Sequence, residues 1–148
     1  MKCLHTICVG LACIVLAGCS TFRPTDPSLT PGDYTLVSVT TDIPDDETEH
    51  DEIPCTVWRE GEFITVRPVK EMGIWLDGRV VGKQVSLTLR HEKPDPMIKA
   101  MQLRTVLEGE VNATDTASGQ TKGYTGEHQY IEGTWSLIKR DTSDVARP

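Results

Sequence analysis

Val85-Ser86-Leu87-Thr88-Leu89-Arg90 sets apolar and polar side chains in strict alternation. A period of two sends successive side chains to opposite faces of an extended chain, so this segment reads as a β-strand with one dry face and one wet face. Asp77-Gly78 lies just upstream, and that dipeptide is among the strongest short hairpin signals because both residues tolerate positive φ. The expectation is a hairpin with residues 72–76 and 79–90 as its arms.

The same alternation returns twice downstream. Met101, Leu103, Thr105, Leu107 and Gly109 fall on one face, opposite Gln102, Arg104, Val106, Glu108 and Glu110. From Tyr130 to Arg140, Ile131, Gly133, Trp135 and Leu137 oppose Glu132, Thr134 and Ser136. Upstream, Tyr34 to Thr41 is rich in β-branched residues, and Cys55–Arg59 and Glu62–Arg67 read as strands joined around Glu60-Gly61. Between them, Asp42 to Glu52 carries seven acids and reads as an exposed loop. Glu92–Pro96 reads as a loop, residues 97–100 as one helical turn, and Ala113–Lys122 as a polar loop or hairpin tip. About seven or eight short strands without a long amphipathic helix make an all-β meander. One buried face and two unpaired edges push such a sheet to close on itself. A small up-and-down antiparallel barrel is the expected fold, with a β-sandwich as the alternative.

The N-terminus has the parts of an export signal: Lys2, an apolar stretch from Ile7 to Leu16, and small residues after it. About ten apolar residues are too few for a spanning helix. Leu16-Ala17-Gly18-Cys19 resembles the lipobox of bacterial lipoproteins, a resemblance that covers residues 1–20. It implies that Leu16, Ala17 and Gly18 are read by the signal peptidase and that Cys19 takes a diacylglyceryl group on its thiol and an acyl chain on its new amino group. It also implies, through Ser20, transfer to the outer membrane, with the protein at its periplasmic face. Two or more acyl chains anchor a protein stably. The expected plan is a signal over 1–18, a lipidated Cys and Pro-rich tether over 19–31, one all-β domain over 32–140 and a tail over 141–148.

Of five cysteines, Cys3, Cys8 and Cys13 lie in the signal and Cys19 in the lipobox. Cys55 is left without an intramolecular partner, so the domain must be stable through packing alone, with Cys55 as a small buried residue at the start of a strand. The formal charge of −7 argues against binding a nucleic-acid backbone. Asp45, Asp46, Glu49 and Asp51 are the densest set of possible calcium ligands. They lack the spacing and central glycine of an EF-hand, so no metal is assigned. His50, His91 and His128 fall in separate segments with no zinc spacing, and no nucleophile elbow, Walker loop or dinucleotide fingerprint occurs.

Gly133-Thr134-Trp135-Ser136-Leu137 resembles the Gly-x-Trp strands of lipocalin-like barrels, although the motif stands here on the closing strand, and Gly73-Ile74-Trp75 repeats it mid-chain. The resemblance implies a cavity for an apolar ligand and offers Lys139 and Arg140 as cations lying against an indole. Together these readings point to a non-enzymatic binding or envelope-structural module without a cofactor. Its expected partners are the membrane, through the lipid, and an envelope protein or a small apolar molecule. The alternatives are an envelope hydrolase using Glu108, Glu110 and His128, or an inhibitor of an exported hydrolase that presents the acidic loop.

Overall fold

The structure is a computed structural model and describes residues 27–141. Eight strands follow one another around a closed barrel: β1 Gly32–Asp42, β2 Glu47–Glu60, β3 Phe63–Pro68, β4 Ile74–Val81, β5 Gln84–His91, β6 Leu103–Ala113, β7 Thr116–Thr125 and β8 His128–Lys139. Every pairing is antiparallel between neighbours in sequence, and β8 returns to β1 from Tyr34↔Lys139 to Asp42↔Ile131. The expected up-and-down barrel is therefore the fold, and the sandwich is set aside. A single helical turn, α1 Pro96–Ala100, sits in the β5–β6 connection, its first turn capped by the Asp95 carboxylate on the Met97 N–H at 2.7 Å.

Alternation places side chains as expected along β5, β6 and β8. Val85, Leu87, Leu107, Trp135 and Leu137 are buried inside the barrel, while Ser86, Arg90, Glu108 and Thr134 face water. Three local expectations change. Asp77-Gly78 is not a turn but mid-strand in β4, and the chain reverses at Gly82-Lys83 instead, with Gly82 at φ 59°. Gly78 serves close packing: a Cβ there would run into the Ser86 carbonyl oxygen and lie 2.8 Å from Leu87 Cα, so β4 and β5 approach through it. The acidic run is a hairpin rather than a loop. Thr40, Thr41 and Asp42 pair with Glu49, Thr48 and Glu47, and the two threonine hydroxyls meet at 3.0 Å. Its side chains from Glu47 to Glu52 are exposed, so water screens the like charges that the strand brings together. Ala113–Lys122 is likewise mostly strand, a two-residue turn at Thr114-Asp115 leading into β7.

The two poles of the barrel differ. At one, where β1 begins, the segment ahead of it turns in and seals the end, so the folded part extends back into the expected tether. Leu29 is 1% exposed among the core residues, and Arg59 donates to its carbonyl at 2.9 Å. Asp115 then pins Thr30. Its Oδ1 accepts from the Thr30 N–H at 2.8 Å and the Thr30 hydroxyl at 2.7 Å, and lies 2.8 Å from the Tyr34 hydroxyl. Lys139 donates to the Thr30 hydroxyl and pairs with Asp115 Oδ2 at 3.3 Å. Backbone bonds complete the latch, Asp115 N–H to Ser28 O at 2.9 Å and Lys139 N–H to Asp115 O at 3.1 Å. Lys139 thus lies over the Tyr34 ring, at 5.9 Å, rather than against an indole, and the Arg140 backbone N–H bonds to Asp33 O at 2.9 Å.

Burial alone would raise the Asp115 carboxyl pKa, but the hydrogen bonds from Thr30, Tyr34 and Lys139 outweigh it and hold the group at about 2. Burial, followed by that carboxylate, keeps the Tyr34 hydroxyl firmly protonated. Because the folded pKa of Asp115 lies below the unfolded value of about 3.9, its contribution is complete above that value and fades as pH falls toward 2. Asp115→Asn is expected to lower the unfolding free energy at neutral pH by roughly 1–2 kcal/mol. It should also flatten the pH dependence of stability between about pH 4 and pH 2, which urea unfolding at stepped pH measures.

Candidate functional site at the barrel mouth

The half of the interior next to the sealed pole is filled. Tyr34, Val57, Ile64, Val80, Val111 and Trp135 meet there, and the Trp135 indole N–H points at the Glu108 carbonyl, 3.4 Å away. Of the three tryptophans, Trp135 alone fills the interior in this way. Trp58 is 50% exposed on the outer face, and the Trp75 N–H bonds to Asp77 Oδ2 at 2.8 Å beneath Arg67. Toward the other pole the interior is hollow. A cavity of about 230 Å³ opens there, walled by Leu36, Ile53, Val66, Leu76, Leu89 and Leu107, with Cys55 and Thr121 also on its wall and Ser38, Thr40 and Asp51 toward the mouth.

The dimensions decide what fits. A dry cavity of about 150 Å³ accepts benzene, whereas drug-sized sites begin near 300 Å³. The space suits one or two rings or a short alkyl segment. Cys55, Thr105 and Thr121 interrupt the apolar wall. Cys55 is buried, donates to the Tyr34 carbonyl at 3.6 Å, and has its thiol pKa pushed up to about 11 by burial, so it is a protonated, unreactive wall group. Thr121 is 3% exposed, and its hydroxyl has no hydrogen-bond partner. A buried hydroxyl left unpaired costs about 1–3 kcal/mol, and the Thr121 oxygen is itself covered by neighbouring atoms rather than open to the cavity.

Around the opening, Ile43, Val69, Met72, Met97 and Met101 stand 44–64% exposed on the β1–β2, β3–β4 and β5–β6 connections. An apolar rim leads to an apolar hollow. The outer surface between the rim and the sealed pole is largely polar, the reverse of a membrane-spanning barrel, whose outside is apolar. Among the described residues, no helix is long and apolar enough to cross a membrane.

The residues singled out from sequence are dispersed. Leu16, Ala17, Gly18, Cys19 and Ser20 lie outside the described residues. Asp45 and Asp46 occupy the β1–β2 turn and Glu49 and Asp51 the following strand, and among the described residues no three acid, histidine or cysteine side chains converge on one point. Glu108 and Glu110 face outward near the sealed pole, with Glu110 accepting from the Gln84 amide at 2.6 Å. His128 sits in the row of Leu103 and Thr125 at the mouth, roughly 16 Å of strand away from Glu108. The structure does not bring these three together. Thr121 gave no sequence signal, since it lies in a polar stretch read as a loop.

The chain matches no family model, no curated protein and no solved structure. The cavity must be read from its own geometry. Thr121→Val removes the unpaired hydroxyl at nearly constant volume and is expected to stabilise the empty protein by about 1 kcal/mol, measured as an increased urea midpoint with unchanged slope.

Proposed function

We propose that this chain is a lipid-anchored bacterial lipoprotein and a non-enzymatic binding module, whose barrel holds a small, mainly apolar molecule. The observation that carries the binding reading is the hollow half of the barrel, walled by apolar side chains and continuous with an apolar rim. Cores close-pack unless something prevents it, and voids of this size are few in a domain. Here the filled half shows that the sequence can pack a barrel interior, so the hollow beside it is a difference within one molecule. The anchor rests on the lipobox-like Leu16-Ala17-Gly18-Cys19, and Ser20 after it supports a position at the periplasmic face of the outer membrane.

The binding reading is tested with a neutral naphthylamine dye, whose fluorescence rises in apolar surroundings. The full chain is expected to bind the dye saturably at one site. Leu107→Trp, which fills the cavity from β6, is expected to weaken binding more than about tenfold, equivalent to about 1.4 kcal/mol, while circular dichroism still shows the barrel. Unchanged dye binding in the filled variant would sink the reading. The anchor is tested separately: Cys19→Ser should shift the protein in its bacterial host from the membrane fraction to the aqueous one, and a protein that fractionates as before is not held by Cys19.

A further inference from the structure

On the outer face of β2–β5 lies a second feature, independent of the cavity. Two adjoining surface depressions of about 490 and 330 Å³ share Thr65. One is flanked by Phe63, Arg79 and Arg90 and the other by Trp58 and Arg67. Trp58 and Phe63 are 50% and 60% exposed, large aromatic side chains left facing water. Arg79 lies 4.8 Å from the centre of the Phe63 ring and Arg67 5.3 Å from that of Trp75. Stacking orders a guanidinium plane while its N–H edges stay free.

Those edges have no carboxylate to meet. Among the described residues the one ion pair is Lys139–Asp115 at the sealed pole, so Arg67, Arg79 and Arg90 make no ion pair. Of the two acids on this face, Asp77 is already engaged, one oxygen taking the Thr65 hydroxyl at 2.9 Å and the other the Trp75 N–H at 2.8 Å, while Glu60 stands at the edge in the row of Phe63 and Arg79. In a chain of net charge −7, Arg67, Arg79 and Arg90 outnumber the strand acids Asp77 and Glu60 on this face, so beside its exposed aromatic rings the local balance is slightly positive.

We infer that this groove binds a linear polysaccharide whose sugars carry carboxylate groups. The weakly positive C–H face of a sugar ring packs on the electron-rich faces of Trp58 and Phe63. The stacked Arg67 and Arg79, with Arg90 beside them, take the carboxylates as two-pronged hydrogen-bond partners. Ser86 and Thr88 line the depression and supply hydroxyls for the remaining sugar oxygens. The hydroxyls of Thr65, Ser86 and Thr88 between the rings and guanidiniums suit a sugar chain better than a lipid surface. Spaced guanidiniums between rings, in an acidic protein, suit separated carboxylates better than the dense charge of a nucleic-acid backbone.

The test titrates the full chain with oligogalacturonate, a neutral galactan of equal length, a poly-dT oligonucleotide and a poly-glutamate peptide, by calorimetry and tryptophan fluorescence. Oligogalacturonate is expected to bind at least about tenfold tighter than the other three, and to weaken as salt rises from about 50 to about 500 mM. Arg79→Ala, Arg67→Ala and Trp58→Ala should each reduce its affinity about five- to tenfold. All three side chains are exposed, so the unfolding midpoint and dye binding in the cavity should not change. Absent binding, equal affinity in the three variants, or preference for the neutral galactan, the oligonucleotide or the peptide overturns the inference.

Discussion

The rest of the molecule depends on closure, the pairing of β8 with β1 over nine consecutive residues from Tyr34↔Lys139 to Asp42↔Ile131. Without it, β1 and β8 would be open edges on a curved sheet and the apolar face would remain wet. Eight strands leave an interior only wide enough for side chains or one small ligand, so every inward residue is chosen against the opposite wall. Gly119 is the cross-strand partner of Trp135, and a Cβ on Gly119 would lie 2.5 Å from Gly109 Cα. β7 therefore carries small inward residues, Ala117, Gly119, Thr121 and Gly123, next to the bulky indole on β8. The large residue and the small strand are one packing solution.

Closure does not require the interior to be uniform. The sealed half combines a full core with a latch in which nearly every polar atom has a partner, and the pKa of Asp115 at about 2 records how heavily that carboxylate is engaged. The hollow half has the opposite balance, with a wall of leucines and isoleucines that leaves its centre open and an unpaired hydroxyl at Thr121. Stability is concentrated at one pole and adaptability at the other, an uneven distribution common in proteins whose binding elements come from the less stable regions. The cavity needs the latch, because strands held firmly at one end can leave space at the other without collapsing.

How much of this was legible in the sequence follows from the range of each interaction. Alternation is local, so β5, β6 and β8 and their buried faces could be read directly, and the barrel followed from the need to hide them. Asp77-Gly78 misled because a glycine required by a neighbouring strand looks the same in sequence as one required by a turn. β7 was read as a loop because its inward positions are small or polar, a choice that makes sense only once Trp135 is known to fill the space. The acidic hairpin was hidden because charge usually argues for a loop, whereas pairing with β1 and full exposure make a strand acceptable. The latch had no sequence signature. Thr30 and Asp115 are 85 residues apart and Thr30 and Lys139 are 109, distances no periodicity spans. The wall of the candidate cavity was partly foreseen in Leu89, Leu107 and Cys55, while the arginine and aromatic groove needed the register of β2–β5 to appear.

The latch also gives the barrel a base and a direction. The chain enters the fold at Ser28 and Leu29, on the plug that seals one pole, and the mouth lies a full strand length away. Whatever holds the residues before Pro27 holds the molecule by its base. If Cys19 carries acyl chains as proposed, the tether would join the barrel at its sealed pole and leave the mouth clear of it. A ligand could then reach the cavity without passing the point of attachment.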